Sequence, residues 1–188
     1  MNGNVFLAVA LTATERHDLA AALSEERIAR RLPGRRVGPA NWHVTVRFVG
    51  EAAEAEVDRL AERVESYADE VWAGRVWVTG IGGFPRASKA TVAYAGIDDP
   101  SRLLTVLAAI CDEAAIDVGF DPETRPFVPH LTLSRIRPAV DLSGLVDGLS
   151  ARVPVEVAAI TVFRTEQIRG GVAYRAIHEI SLRKAARR

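Results

Sequence analysis

The sequence predicts an α+β fold of two lobes, each a twisted sheet covered by helices, with a cleft between them. Three observations lead there. An order of strand, helix, loop, strand, helix and strand occurs twice. Its first strands begin at Val5 and Ala90, 85 residues apart, and its second helices align Val57 with Leu142 at the same offset. Each copy also carries one short pattern, His-apolar-Thr-apolar, in "NWHVTVRF" (41–48) and in "VPHLTLSR" (128–135), with the histidines 87 residues apart. Finally, no low-complexity linker separates the halves. The 188 residues therefore read as a single bilobal domain, 1–188, with an internal repeat of approximately 5–81 and 90–163 and a final strand at 172–182.

The elements follow from local signals. "VFLAVAL" opens the chain as a buried strand over 5–10. Thr12 followed by Glu15 is a capping-box pattern, starting a helix expected to run to Arg31. "PGRRVGP" is a loop by its Pro and Gly content, and the His43 strand follows. Val57, Leu60, Val64, Tyr67 and Val71 recur at helical spacing over 54–72. "RVWVTGI" is a strand and "GGFPRAS" a turn. In the second copy "ATVAYAG" is a strand, and Asp99 and Pro100 can start a helix bearing Leu103, Leu107, Ile110 and Ala114. "FDPETRP" is a loop before the His130 strand. Asp141 can cap a short helix with Leu142, Leu145, Val146 and Leu149, and two strands, 153–163 and 172–182, close the chain around "IRGG".

Composition narrows the class. The chain is 48% apolar and 26% charged, ordinary for a soluble domain, and its formal net charge of zero sets up no global field toward nucleic acid or membrane. Basic residues cluster locally at Arg27, Arg30, Arg31, Arg35 and Arg36, as either a solvated helix end and loop or a phosphate-facing patch. Cys111 is the only cysteine, so no intrachain disulfide forms; that suits a cytoplasmic location, and its apolar neighbours suggest a packed thiol. The apolar run at the N-terminus is too short to span a bilayer.

The repeated triplet carries the chemistry. Side chains alternate along a strand, so His43 shares a face with Thr45, and His130 with Thr132, while Val44, Val46, Leu131 and Leu133 anchor the opposite face. Two imidazoles across a cleft suit acid–base catalysis, since unperturbed histidine titrates near pH 6.5 and one ring can be neutral while the other is protonated. Each such role is typically worth about 10²–10⁴ in rate. Threonine hydroxyls add donors for phosphoryl oxygens. The set fits hydrolysis of a phosphodiester.

A lone strand histidine is more often structural than catalytic, but two matched ones are not a composition accident. With ten threonines in the chain, the chance that two of four histidines have Thr two positions on is only about 0.02. No Cys, Asp or Glu stands at ligand spacing from the pair, so no metal site is expected. No G-x-S-x-G elbow, P-loop or Rossmann glycine pattern is present.

On these residues the chain resembles the two-histidine phosphoesterases, in particular the RNA 2′,3′-cyclic phosphodiesterases, also described as 2′-5′ RNA ligases. "VFLAVAL" resembles their first strand, "NWHVTVRFVGE" and "RPFVPHLTLSR" their two motifs, and "GIGGFP" and "VFRTEQIRGGVAY" their lesser signatures. The resemblance implies two mostly antiparallel lobes related by a pseudo-twofold axis, with a motif on each facing strand. It implies His43 as proton donor, His130 as proton acceptor activating water, and Thr45 and Thr132 as phosphate-binding residues. The implied reaction opens an RNA 2′,3′-cyclic phosphate to a 2′-phosphate, with no cofactor and no metal, in a monomer with no membrane partner. The residue pattern alone leaves the two histidines interchangeable.

Further candidates surround the motifs. Alternation puts Arg47 on the His43 face, where it would touch substrate charge or lie on the rim. It puts Arg135 on the face opposite His130, so Arg135 reaches a phosphate only where the strand bulges. Phe48 and Phe127 could stack a base, although alternation assigns Phe48 to the core with Val44 and Val46. Trp42 reads as a core or wall residue, Tyr174 as packed or closing the cleft, and His17 and His178 as structural. Two other functions fit the same pattern: 2′-5′ ligation, the reverse reaction at one site, and a non-catalytic nucleotide- or RNA-binding module.

Overall fold

A computed structural model describes residues 3–146 and 148–184. In chain order its elements are β1 (Asn4–Ala10), α1 (Ala13–Glu25), α2 (Ile28–Arg31), β2 (Arg35–Arg36), β3 (His43–Glu51), α3 (Glu54–Ala68), β4 (Gly74–Phe84), β5 (Ala90–Asp98), α4 (Leu103–Val118), β6 (His130–Val140), β7 (Val153–Val157), β8 (Ala159–Ile168) and β9 (Gly171–Ser181).

The strands form one antiparallel sheet in the order β7-β4-β5-β6-β3-β1-β8-β9, with the two-residue β2 added on β6. The two halves of this order meet at one residue pair, Val44 opposite Leu131, both fully buried. Outward from that pair, β3 and β6 carry the motifs, β1 and β5 come next, then β8 and β4, then β9 and β7. The lobes are thus not the two sequence halves. β4 leaves the first half to pair with β5, and β8 leaves the second to pair with β1.

The crossing explains one departure from the expected elements. A single strand was expected over 153–163, because apolar alternation continues through it. The chain instead breaks at Ala158, whose carbonyl accepts from the Leu182 N–H. β7 then joins one edge of the sheet and β8 the other side.

The first helix departs too. Thr12 and Glu15 form the predicted capping box, and Glu15, itself buried, also accepts from the Glu156 N–H at 2.7 Å, tying α1 to β7. The helix stops at Glu25, short of Arg31. Arg27 adopts a left-handed conformation (φ 58°), and the Glu26 carboxylate accepts from the Ser150 N–H and hydroxyl and from the Ala151 N–H. The Asp99 carboxylate accepts from the Leu103 and Leu104 N–H groups, but α4 begins only at Leu103, after a left-handed Arg102, so Asp99 is not its N-cap and Pro100 lies in the turn before it. The helix expected after Asp141 shrinks to a 3₁₀ turn at Ser143–Leu145; Asp147, within the expected span, lies outside the described residues.

One face of the sheet packs on the helices. Val5, Leu7 and Val9 of β1, Leu131 and Leu133 of β6, and Leu104, Leu107 and Cys111 of α4 lie in this core. Burial pushes the Cys111 thiol up to about 12, so it is a packed, protonated group. Among the described residues no helix is long and apolar enough to cross a membrane. The other face of the sheet carries the motifs.

Candidate active site

The geometry starts from the central pair. Val44 and Leu131 both point into the core, so by alternation His43, Thr45, His130 and Thr132 all rise from the opposite face. In an antiparallel pair this sets His43 beside Thr132 and Thr45 beside His130, with the two histidines on a diagonal of about 7–8 Å. The four side chains make a square around the pseudo-twofold axis, half-buried at every corner. They sit side by side on one continuous sheet rather than across an open gap.

The two imidazoles are held alike. His43 Nδ1 lies 2.8 Å from the Asn41 carbonyl, and His130 Nδ1 lies 2.7 Å from the Val128 carbonyl, each two residues back. A carbonyl only accepts, so Nδ1 carries the proton in both rings and each neutral ring offers its Nε2 lone pair. Burial is the main cause that pushes His43 down to about 4; the Asn41 bond opposes it, and His130 and Arg135 add to it by charge. His130 is lowered as well, first by burial and then by Arg135. Burial thus favours the neutral form of both rings, and an anion between them would favour a proton on one.

Aromatic rings enclose the square. Phe6 and Tyr174 lie 4.9 and 5.0 Å from His43, the tyrosine edge-on. Phe84 and Tyr94 lie 4.9 and 5.5 Å from His130, again edge-on. Gly82 is what lets Tyr94 reach across: a Cβ there would meet the tyrosine ring at 2.2 Å. Phe6, Phe84 and Tyr94 carry no local signal that marks them as site residues, although "GIGGFP" contains both the glycine and one of the rings.

Bulges decide the next residues. In β3, Thr45 pairs with Ala8 but Arg47 pairs with Leu7, so Val46 is an extra residue and alternation flips there. In β6, Thr132 pairs with Tyr94 but Ser134 pairs with Ala93, so Leu133 is the extra residue. Val46 and Leu133 are 87 residues apart, as the histidines are, so the bulge recurs at the same place in both motifs.

The bulges place the two arginines differently from strict alternation, with the Arg135 condition met by the bulge and Arg47 packed beside Asp112 while still lining the cavity that Thr45 and His130 border. Arg47 turns to the helix side, where it is buried. Its Nε lies 2.8 Å from Asp112 Oδ1, and its other nitrogens donate to the Asp121 and Phe48 carbonyls. Arg135 turns onto the histidine face beside Val92 and is exposed. Phe48 likewise leaves the core: it is 51% exposed and its ring lies 6.0 Å from Phe6. It borders a cavity of about 680 Å³ together with Thr45, His130, Phe84 and Phe127.

The remaining candidates are structural. Trp42 is buried and its indole N–H donates to the Val37 carbonyl; His178 lies 2.9 Å from the Asp58 carboxylate at the surface; His17 is exposed on α1. Among the described residues no three His, Cys, Asp or Glu side chains converge on a point.

Two His-x-Thr strands joined about a pseudo-twofold axis in a sheet of this order define a two-histidine phosphoesterase. The chain belongs to the LigT like phosphoesterase family, whose model matches residues 12–94 and 96–174. It is 31% identical over 161 residues to the RNA 2′,3′-cyclic phosphodiesterase of Aeropyrum pernix, covering 83% of this chain and 90% of that one. Its fold is shared by E. coli LigT complexed with 3′-AMP (TM-score 0.76, 22% identity, 97% of this chain and 99% of that one). TT0787 of Thermus thermophilus aligns over 97% of this chain and 100% of its own at TM-score 0.69 and 26% identity. By family the protein is a phosphodiesterase enzyme.

Proposed function

We propose that this enzyme opens 2′,3′-cyclic phosphate ends of RNA to 2′-phosphates by acid–base catalysis between His43 and His130. The observation that carries the reading is the square of His43, Thr45, His130 and Thr132 on one face, with both Nε2 atoms left as the reactive nitrogens. The A. pernix relative, an RNA 2′,3′-cyclic phosphodiesterase, supports the substrate class.

In this mechanism the cyclic phosphate enters between the rings. Its charge favours the imidazolium that burial, and to a lesser extent Arg135, disfavours, and a proton follows it onto His43. His130 takes a proton from water as the water oxygen bonds to phosphorus. The P–O3′ bond breaks, and His43 gives its proton to O3′. The Thr45 and Thr132 hydroxyls donate to the non-bridging oxygens, and Arg135 faces the charge that builds on them. Burial lowers both rings, His43 the more strongly. The donor and acceptor roles are taken from the family resemblance, not from this difference.

The test is phosphorus NMR of a nucleoside 2′,3′-cyclic monophosphate with the purified protein in chelator, beside His43→Ala and His130→Ala. Conversion to the 2′-phosphate, lost by at least about 10³-fold in each variant, is expected. Turnover that survives in either variant refutes the two-histidine mechanism.

A further inference from the structure

Beyond the square, the bulged strand leads to a second pocket of about 550 Å³, lined by Gly34, Arg35, Thr91, Val92, Arg135 and Arg137. Its arginines share one face. Arg35 of β2 is directly opposite Arg135 in register, so both project to the same side of the sheet. Ile136 is buried in the core, so Arg137 returns to the Arg135 side, roughly 7 Å further along the strand. All three are exposed. None of them is among the arginines that the described residues hold in ion pairs.

This arrangement is unfavourable by itself. Like charges directly opposite one another across an antiparallel pair destabilise it. The fold nevertheless builds the pair with care. Gly34 takes φ +77°, and a Cβ at that position would lie 2.4 Å from the Arg135 carbonyl oxygen, so only glycine lets β2 dock here. His130, Thr132, Arg135 and Arg137 then lead along β6 from the square to the pocket, across the bulge at Leu133.

We propose that this pocket is a second anion subsite, which takes the internucleotide phosphate preceding the nucleotide that bears the cyclic phosphate. The enzyme then prefers an oligonucleotide end to a free cyclic nucleotide. The proposal rests on the RNA-end reading of the square. Arg35 and Arg137 supply its two charges, while Arg135 is shared with the reacting phosphate.

The experiment compares the wild type with Arg35→Gln, Arg137→Gln and the double variant. The substrates are cytidine 2′,3′-cyclic monophosphate and a trinucleotide ending in a 2′,3′-cyclic phosphate. Each single variant is expected to turn over the mononucleotide as the wild type does, which also shows that it folds. Each loses about tenfold in kcat/KM for the trinucleotide, the scale of one charged hydrogen bond. The salt dependence of the trinucleotide reaction becomes shallower by about 0.7 per arginine removed. An unchanged trinucleotide kcat/KM in the double variant overturns the proposal. Binding of a labelled trinucleotide with a 3′-phosphate, read by anisotropy, separates this failure from that of the catalytic reading. If the wild type cleaves neither substrate, the RNA-end reading fails, and equal binding by wild type and double variant then removes the subsite as well. Weaker binding by the double variant supports it.

Discussion

Acidification from pH 7 to pH 4 is expected to remove about 3 kcal/mol of folding stability through His43 alone. The imidazole is held down from its ordinary 6.5 to about 4, chiefly because protonation would place a charge where the Phe6 and Tyr174 rings exclude water. The gap, about 2.5 in pH, corresponds to about 3 kcal/mol at 1.36 kcal/mol per pH unit. The sign follows from which state binds the proton. Between 6.5 and 4 the unfolded chain takes it and the folded chain does not. The contribution is therefore complete above pH 6.5 and is lost progressively as pH falls toward 4. His130 is lowered too and acts in the same direction.

Carboxylates also titrate at the acid end. Glu26, held down mainly by the Ser150 N–H, is one of them, so the total slope does not isolate His43. The comparison that does is wild type against His43→Gln, by urea unfolding at intervals from pH 7.5 to 4.5. Stability of the wild type should fall more steeply than that of the variant by up to one proton equivalent within the window. Adding inorganic phosphate should flatten the wild-type curve, because a bound anion favours the imidazolium. Parallel curves for the two proteins would refute the argument that burial holds His43 neutral, and with it the claim that substrate brings the proton.

Two substitutions test the bulges. Arg47→Ala is expected to cost about 3 kcal/mol in urea unfolding, because it leaves the partly buried Asp112 without its partner, while KM for a cyclic mononucleotide changes little; a large KM effect with unchanged stability would put Arg47 back in the cleft. Phe48→Ala is expected to do the reverse, raising KM about tenfold through a lost base-stacking surface while leaving the unfolding midpoint nearly unmoved, since the ring is half exposed.

Much of this protein was legible in its sequence because the informative signals were local. Alternation over four residues was enough to set His43 with Thr45 and His130 with Thr132, and one buried pair, Val44 and Leu131, then brings all four together. Capping chemistry at Thr12 marked the start of α1 correctly, and Asp99 marked that of α4 only to within three residues. What failed was whatever depends on distant partners. "VTVRF" and "LTLSR" contain no glycine or other bulge signal, and the extra residue in each appears only against its neighbouring strand. Likewise 153–163 has the pattern of one strand. Its division at Ala158 reflects two different partners, β4 and β1, which no local period encodes.

The bulges also bear on how a site built from two matching motifs comes to have a direction. The square alone is nearly symmetric: each histidine has a threonine beside it, a backbone carbonyl on Nδ1 and aromatic rings against its edge or face. Such a site has no reason to bind a nucleotide one way round. The same bulge, at the same distance past each histidine, then presents different residues. In β3 it sends a charged side chain into the core and an aromatic into the cleft, Arg47 and Phe48. In β6 it sends a small polar one into the core and a cation into the cleft, Ser134 and Arg135. One flank of the phosphate therefore offers a π-face and an apolar cavity, and the other offers guanidinium groups. A nucleotide has the matching asymmetry, a base at one end and further phosphates at the other. Under the proposed mechanism, orientation of the ligand would then decide which histidine meets the leaving oxygen and which meets water, so donor and acceptor would be distinguished by residues five positions beyond His43 and His130.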